Sequence, residues 1–350
     1  REGIVLLSAG VRSLAGLPNI DHRGREWEEI ITDKSRVYRL TGRYPTSLFS
    51  ALKLVGIRER RPGLWQECDT FLSISNWIEY QFSGIKAYEH SQASETLLYD
   101  VAEKQWSEEL CRVFNLDMAL LPPLVDSACI LGGILPEVAQ QLGIPASVQI
   151  VTGGGDTQLA IKSTRPAVDD VVIVSGTTTP IVKITGTYTL DEEERTWTSR
   201  DIERGRFMFE ANAGVTGLNY QRLKEIFYPN EDYAVIEKEL EESNPVFCMA
   251  SLGSLLADEE VSLTRGGFIF PAPVSHLLTR GSFVWATILD IACSIVKNYR
   301  ILAAAAGHTP DYIWACGGGL QSRVLRQLIA NLTGKKVQMR REYQQSSAVG

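Results

Sequence analysis

The sequence is poor in the residues that build metal sites and disulfide frameworks. It contains only four histidines, and none of them pair at the helical spacing of metal ligands. Its six cysteines lie far apart and form no Cys-x-x-Cys motif, at Cys68, Cys111, Cys129, Cys248, Cys293 and Cys316. We therefore expect reduced thiols, no structural zinc and a cytoplasmic location.

Long apolar runs and basic blocks are also missing. No apolar stretch approaches the roughly 18 residues that span a bilayer, and the first residues show no signal-peptide pattern. The formal net charge is −7, and no basic block exceeds a short pair or triplet. These features argue against nucleic acid and membranes as partners, so any phosphate must be bound by local features. The expected partner is a small molecule, with a homodimer as one candidate state.

What the chain does have is the composition of a two-domain globular protein. Of its 350 residues, 44% are hydrophobic and 22% are charged, which allows a sizeable core and a length of two ordinary domains. Arg165-Pro166 separates a glycine turn from the next strand. We place the boundary there, between domains of residues 1–167 and 168–350.

Three predicted strands run into turns of small residues. The β-branched or aromatic runs at 148–151, 171–174 and 312–316 have the character of strands buried in a sheet. They lead into Gly153-Gly154-Gly155-Asp156, Ser175-Gly176-Thr177 and Gly317-Gly318-Gly319. At such turns the backbone can approach a ligand closely.

Two helices are predicted in the second half of the chain. Ser322 is placed to cap a helix that ends at Gly334. A longer amphipathic helix is predicted from about Thr287 to Ala306, with Ile288, Ile291, Ile295, Tyr299 and Leu302 facing inward.

The glycine turns have two open interpretations. A run of glycines between a strand and a helix leaves backbone N–H groups free to point at an anion, and the helix N-terminus adds partial positive charge. Each turn is equally well explained as a tight strand exit, and Ser175-Gly176-Thr177 as a simple turn. Asp156 is predicted to be exposed and ionised, suited to accept a proton in phosphoryl transfer, although it is also explained as a helix cap.

Charged residues near the start of the chain suggest contacts to hydroxyl groups. Arg1-Glu2 and the pair Asp21 and Arg23 offer the bidentate groups that fix hydroxyls of a sugar or polyol. A solvated surface explains them as well.

Four motifs in order resemble the FGGY family of carbohydrate kinases, and the similarity covers essentially the whole chain. They are Asp21-x-Arg23, Gly153-Gly154-Gly155-Asp156-Thr157-Gln158, Ser175-Gly176-Thr177 and Gly317-Gly318-Gly319. The resemblance implies an α/β fold of two actin-like, ribonuclease-H-like domains with an interdomain cleft for sugar and ATP. It also implies a sugar kinase, a phosphotransferase with an alcohol group as acceptor.

The resemblance assigns roles to individual residues. Asp156 matches the catalytic base, which deprotonates the sugar hydroxyl. The implied substrate contacts, besides Asp156 itself, are Arg1, Glu2, Asp21, Arg23 and Gln158. The implied nucleotide contacts are Gly176, Thr177, Gly217, Gln221, Gly318, Gly319 and Ser322. ATP and Mg²⁺ are the implied cofactors, and no residue is assigned to the metal.

Within the family, the chain looks most similar to autoinducer-2 kinases, whose substrate is a linear dihydroxypentanedione. This ordering rests on Arg1-Glu2-Gly3, on the Asp-x-Arg segment with Asn19 in place of a tryptophan, and on the segment around Asp156. Xylulose-type, other ketose-type and glycerol-type kinases stay open as alternatives.

One departure from the family pattern favours a different class. The family's amino-terminal strand, with an Asp and a Gly-Thr pair that help hold metal and phosphates, has no counterpart here, and neither has its closing helix. We therefore expect a fragment that cannot support full turnover alone. A kinase-like protein that binds sugar or nucleotide without transferring phosphate is the rival, and an actin-fold ATPase without a sugar is a third option.

Overall fold

The computed structural model describes residues 2–10, 12–242, 248–253, 265–339 and 346–349 of the chain. The chain divides into two compact units that interleave along the sequence. The first unit comprises residues 1–159 and 186–208, and the second comprises residues 160–185 and 209–350. The domain boundary between residues 167 and 168 stays a prediction.

Short strands and helices alternate along the described residues. In chain order the strands are β1 Ile4–Ser8, β2 Ser13–Leu17, β3 Cys68–Ser73, β4 Tyr88–Glu89, β5 Tyr99–Asp100, β6 Gln105–Trp106, β7 Leu124–Val125, β8 Ile130–Gly133, β9 Gln149–Val151, β10 Val171–Val174, β11 Pro180–Thr185, β12 Trp197–Arg200, β13 Phe207–Asn212, β14 Met249–Ser251, β15 Gly267–Ile269, β16 Tyr312–Cys316 and β17 Lys336–Met339. The α-helices are α1 Lys34–Thr41, α2 Ser50–Arg60, α3 Pro62–Gln66, α4 Ile74–Ser83, α5 His90–Ala93, α6 Glu108–Phe114, α7 Pro136–Leu142, α8 Asp156–Ser163, α9 Gly217–Phe227, α10 Tyr233–Glu242, α11 Arg280–Ala306, α12 Arg323–Thr333 and α13 Ser346–Val349. Short 3-10 helices lie at Arg25–Ile30, Met118–Leu120 and Gly318–Gln321.

The first unit is built around a small antiparallel sheet with the order β2-β1-β3. The central strand β1 is buried over consecutive apolar residues, from Ile4 to Leu7, because its two faces are both covered. Helix α2 belongs to the same core, and every residue from Ser50 to Ile57 is buried. This core supports the turns that carry the candidate sugar-binding residues.

The second unit contains a mixed sheet in the order β13-β11-β10-β16-β17. Strand β10 pairs antiparallel with β11 and parallel with β16, which pairs parallel with β17. The residues of β10 and β11 are almost all buried, as the predicted buried strand requires. Strands β10 and β16 are therefore neighbours, and their carboxyl ends lie at the same edge of the sheet.

Helix α11 covers this sheet and confirms the predicted inward face. Ile288, Ile291, Ile295, Tyr299 and Leu302 are all buried, and the helix ends at Ala306 as predicted. The predicted start near position 287 is wrong, because the helix begins at Arg280. The side chains of the residue before it and of the third helical residue exchange hydrogen bonds with each other's backbone in a capping box, which stabilises the earlier start.

Two further predictions concern the caps of helix α12 and the strand at residues 148–151. Helix α12 begins after Ser322, whose hydroxyl accepts the Leu325 N–H at 3.2 Å, and ends at Gly334 in a left-handed conformation, so both predicted caps are confirmed. The strand predicted at 148–151 exists as β9, but its predicted burial is wrong. Among the described residues it pairs with β8 alone, in a two-stranded antiparallel sheet, and leaves Gln149 and Val151 exposed. Over the described ranges, every helix is too short or too polar to span a bilayer.

Candidate active site

Asp156 is the first residue of α8, directly after the glycine triplet. The Gly155 carbonyl accepts the Leu159 N–H at 2.9 Å and so opens the helix. The Asp156 carboxylate accepts the N–H of Thr157 at 2.7 Å, and the residue is exposed, as predicted. An acidic side chain at this position is stabilised by the positive end of the helix dipole. Asp156 therefore satisfies an N–H of the first helical turn, as the cap interpretation requires, and also exposes its carboxylate, as the base interpretation requires.

Two backbone amides of the glycine triplet already have hydrogen-bond partners, which bears on the anion-binding interpretation left open above. The Gly153 N–H donates to Glu79 Oε1 at 2.8 Å, and the Gly155 N–H donates to Ser91 Oγ at 2.9 Å. Both donors are thus occupied inside the first unit. For these two amides the anion-binding interpretation is wrong and the strand-exit interpretation holds, with the turn anchoring the start of α8.

The anchoring groups belong to a buried polar network. Asn76 donates to Glu79 Oε2 at 2.8 Å and accepts the Glu89 N–H at 3.2 Å. Burial raises the pKa of the Glu79 and Glu89 carboxyl groups. Sequence analysis missed these residues, since the partners are 74 and 64 positions apart along the chain and carry no local signal.

Asp21 and Arg23 form a fork-shaped ion pair. Arg23 Nε lies 2.9 Å from each oxygen of Asp21, and Nη2 lies 2.5 Å from Oδ2. Hydrogen bonding from Arg23 lowers the pKa of the Asp21 carboxyl. The pair presents a fixed carboxylate and guanidinium together, which is the geometry suited to hydroxyl groups.

Lys53 joins two of the predicted substrate segments, and sequence analysis missed it. Its Nζ donates to the carbonyl of Glu2 at 2.7 Å and to those of Pro18 and Asn19 at 3.1 Å each. Burial lowers the pKa of Lys53 to about 8. The available signal was a lysine inside an apolar helical run that is wholly buried. Glu2 is only 9% exposed, and the predicted contact Arg1 lies outside the described residues.

Gln158 lies apart from the exposed face of Asp156. Its side chain is fully buried, and Nε2 lies 3.4 Å from Ser199 Oγ. Its Oε1 is buried without a hydrogen-bond partner among the described residues. Its role as a substrate contact stays a prediction.

In the second unit, the turns after β10 and β16 are packed against each other. The Ser175 N–H donates to the Cys316 carbonyl at 2.9 Å, and the Gly319 N–H donates to the Ser175 carbonyl at 3.2 Å. Gly317 has φ +91°, and a Cβ there would stand 2.4 Å from the Ser175 carbonyl oxygen. Only glycine fits this position.

A third turn, between β13 and α9, joins the same cluster. The Leu218 N–H donates to the Thr177 carbonyl at 3.3 Å, and the hydroxyls of Thr179 and Thr216 are 2.6 Å apart. The structure thus brings together five of the predicted nucleotide contacts, which are Gly176, Thr177, Gly217, Gly318 and Gly319.

Two other predicted nucleotide contacts have different surroundings. Gln221 is exposed on α9, where Nε2 donates to Glu225 at 3.2 Å. Ser322 is buried and its hydroxyl caps α12. Both nucleotide roles stay predictions. In the part of the chain that the structure describes, no group of three His, Cys, Asp or Glu side chains is arranged to hold a metal ion.

Comparison with protein families matches both halves of the chain. Residues 20–162 match the N-terminal domain, and residues 229–350 the C-terminal domain, of the FGGY family of carbohydrate kinases. A Bacillus subtilis (strain 168) protein named "Putative sugar kinase YoaC" is 50% identical, over 100% of this chain and 72% of its own length. Autoinducer-2 kinase of Salmonella typhimurium is 24% identical, over 96% of this chain and 67% of its own length.

Solved structures of low sequence identity share the fold. Ligand-bound xylulose kinase from Lactobacillus acidophilus has a TM-score of 0.84 at 17% identity, over 99% of this chain and 72% of the other. Plasmodium falciparum glycerol kinase with ADP has a TM-score of 0.83 at 18% identity, over 100% of this chain and 72% of the other. The predicted α/β fold class of actin-like domains is confirmed.

Proposed function

The chain belongs to the FGGY family of carbohydrate kinases, and from that premise we propose that it transfers the γ-phosphoryl group of ATP to a sugar hydroxyl with Asp156 as general base. The observation that carries the proposal is the exposed Asp156 carboxylate at the start of α8. The turn before it is fixed by two inward hydrogen bonds. A base must be held in place and reach solvent-borne substrate, and this arrangement supports both needs.

The proposed reaction transfers one proton and one phosphoryl group. Asp156 accepts the proton of the sugar hydroxyl as that oxygen bonds to the γ-phosphorus. The bond between the γ-phosphorus and the bridging oxygen breaks, and ADP leaves with the electron pair of that bond. Phosphoryl transfer needs little covalent chemistry from the protein, so positioning of the base and of the phosphates supplies most of the rate.

We assign nucleotide binding to the turn cluster of the second unit. Its exposed members are Gly176, Thr177 and Gly318, at the carboxyl ends of β10 and β16. Ligands of parallel α/β sheets bind outside such strand ends. The Plasmodium falciparum glycerol kinase was solved with ADP, which supports ATP as the phosphoryl donor here.

Mg²⁺ is proposed to enter with ATP. Kinases hold this ion mainly through nucleotide phosphates, with one or two carboxylates and several waters. A protein-only cage is thus not required. When bound, the ion neutralises phosphate charge, and we assign none of the described residues as its ligand.

The sugar is proposed to bind on the first unit, near Glu2 and the Asp21–Arg23 pair. Lys53 ties the backbone of Glu2 to the loop that precedes Asp21, which fixes both segments in one place. As the finer proposal, the substrate is a linear pentulose like that of autoinducer-2 kinases. Similarity to the Salmonella autoinducer-2 kinase supports it.

A substrate panel tests the proposal. The full-length protein is incubated with ATP, Mg²⁺ and one acceptor at a time, namely dihydroxypentanedione, xylulose, other pentuloses, gluconate and glycerol, and ADP release is measured. We expect release that depends on one acceptor class, with dihydroxypentanedione the best. Release that depends on xylulose or glycerol instead would contradict the finer proposal, and release without any acceptor dependence would contradict the kinase proposal.

A further inference from the structure

Two side chains with no role assigned so far accept hydrogen bonds from the turn formed by Gly153, Gly154 and Gly155. Gly155, the residue before Asp156, donates its N–H to Ser91 Oγ at 2.9 Å. Ser91 lies on α5 and is fully buried, with 0% of its surface exposed. Its hydroxyl is therefore a fixed point one residue away from the proposed base.

Ser91 is itself oriented by a buried carboxylate. The Ser91 hydroxyl donates to Glu89 Oε2 at 2.5 Å, and the same oxygen accepts the Gln92 N–H at 3.1 Å. Glu89 Oε1 accepts the Ser127 hydroxyl at 2.6 Å. Because the Ser91 hydroxyl donates its hydrogen bond to Glu89, the lone pairs of the Ser91 oxygen remain to accept the Gly155 N–H. Glu89 is 1% exposed, so this chain of hydrogen bonds is shielded from water.

The geometry points to Ser91 and Glu89 as positioning residues for the proposed base. The inference rests on the proposed function, since it assigns to Ser91 and Glu89 the task of fixing where the Asp156 carboxylate stands. Neither residue needs to touch sugar or nucleotide. The effect runs through one peptide unit, from Gly155 to Asp156. Phosphoryl transfer is sensitive to such placement, because a shift of about 1 Å costs roughly 10²-fold in rate.

Helix α5 and the residue after it offer a matched pair of serines for the test. Ser94 is as buried as Ser91, and its hydroxyl donates to the His90 carbonyl at 3.1 Å and accepts the Arg200 N–H at 3.2 Å. Neither of these two bonds involves the glycine turn. Ser91→Ala and Ser94→Ala therefore remove the same atom from similar surroundings, but only the first change releases the Gly155 N–H.

The experiment measures kcat, the sugar KM and the thermal midpoint for both variants of the full-length protein. For Ser91→Ala we expect a fall in kcat of about 10- to 100-fold, with the sugar KM within about threefold of the parent because substrate contacts persist. For Ser94→Ala we expect a kcat near the parent value and a similar change in thermal midpoint. Equal kcat values in the two variants would overturn the proposal.

A double-mutant cycle with Asp156→Asn separates this inference from the proposed function. If Ser91 acts through Asp156, Ser91→Ala causes no further loss of phosphoryl transfer in the Asp156→Asn background, measured with radiolabelled ATP. An additional loss of the same size in both backgrounds would show that Ser91 does not act through Asp156. Near-normal activity of Asp156→Asn alone would overturn the proposed function itself, whatever the result for Ser91.

Discussion

Gly217 and Gly176 touch through bare backbone, since a Cβ at Gly217 would stand 1.9 Å from the Gly176 carbonyl oxygen. Gly217→Ala must therefore push the two turns apart. We expect a loss of stability of about 1–3 kcal/mol from overpacking and an ATP KM raised by about tenfold or more, equivalent to roughly 1.4 kcal/mol. Steady-state kinetics and thermal unfolding check both effects.

Gly267→Ala, in the same unit, is the control for this change, because no atom of the residues that the structure describes lies within 4 Å of a Cβ at Gly267. We expect near-parental ATP KM and stability for it. An ATP KM for Gly217→Ala equal to that of the control would contradict the assignment of this turn cluster to the nucleotide.

Lys53 predicts a pH dependence in sugar binding. Burial lowers its pKa to about 8, and the neutral amine has two N–H donors for the three carbonyls that it now binds. Glu2, Asp21 and Arg23 are the charged groups that act on it. We expect the sugar KM to rise as the pH passes above about 8, with a smaller change in kcat. Lys53→Met should remove this step and raise the KM at all pH values, and an unchanged step in Lys53→Met would assign it to another group.

The same titration affects stability in the opposite direction, because the folded state becomes more stable over the pH range in which sugar binding weakens. The folded-state pKa of Lys53 lies below its ordinary value of 10.5, so the folded chain loses this proton first as the pH rises. Between about pH 8 and the ordinary pKa of 10.5, the unfolded chain binds more protons than the folded chain. The contribution of Lys53 to the free energy of unfolding therefore increases with pH over this range. Urea unfolding of the parent and of Lys53→Met measures the difference. A contribution that falls over this pH range would contradict the burial of the charged amine.

Arg23→Lys tests the fork geometry of the Asp21–Arg23 pair. Lysine keeps the positive charge but cannot make the parallel hydrogen bonds to both oxygens of Asp21. We expect the sugar KM to rise by about tenfold, because the change removes the free energy of about one hydrogen bond between charged groups. We expect kcat to change little. Arg60→Lys, in the exposed ion pair with Glu26, should leave both constants unchanged. A rise in KM in both variants would point to a nonspecific charge effect.

The Arg43–Glu95 ion pair predicts a large stability effect away from the site. The two side chains are 0% and 1% exposed and lie 2.5 Å apart, with the guanidinium 4.7 Å from the centre of the Trp197 ring. Glu95→Gln leaves a buried charge without its partner, and we expect a loss of about 3–5 kcal/mol in urea unfolding. Glu109→Gln, in the exposed pair with Arg36, should cost less than about 1 kcal/mol. Equal losses would contradict the burial of Arg43.

Local signals explain what the sequence analysis predicted correctly. Strand β10 is a β-branched run before small residues, and α12 carries a serine before it and a glycine after it. Each of these features is decided by residues within a few positions of one another. The resemblance to one family added the order of the turns, which no single turn could establish.

Long-range partners explain what was missed. The amides of Gly153 and Gly155 looked free because their acceptors, Glu79 and Ser91, lie far away in the sequence. Lys53 looked like an ordinary helical lysine, although three carbonyls from two other segments surround it. The composition of β9 predicts a buried strand, but burial depends on the neighbouring strands, and in the described part of the chain β9 pairs with β8 alone.

The most direct measurement compares kcat for sugar-dependent ADP release between the parent and Asp156→Asn. Asparagine keeps an oxygen that can accept the Thr157 N–H, so we expect the thermal midpoint to stay close to the parent's. Removal of the base should lower kcat by about 10² to 10⁴. Asp117→Asn, at an exposed residue directly before a short 3-10 helix of the same unit, should keep the parent kcat. Near-normal turnover in Asp156→Asn would contradict the assignment of Asp156 as the general base.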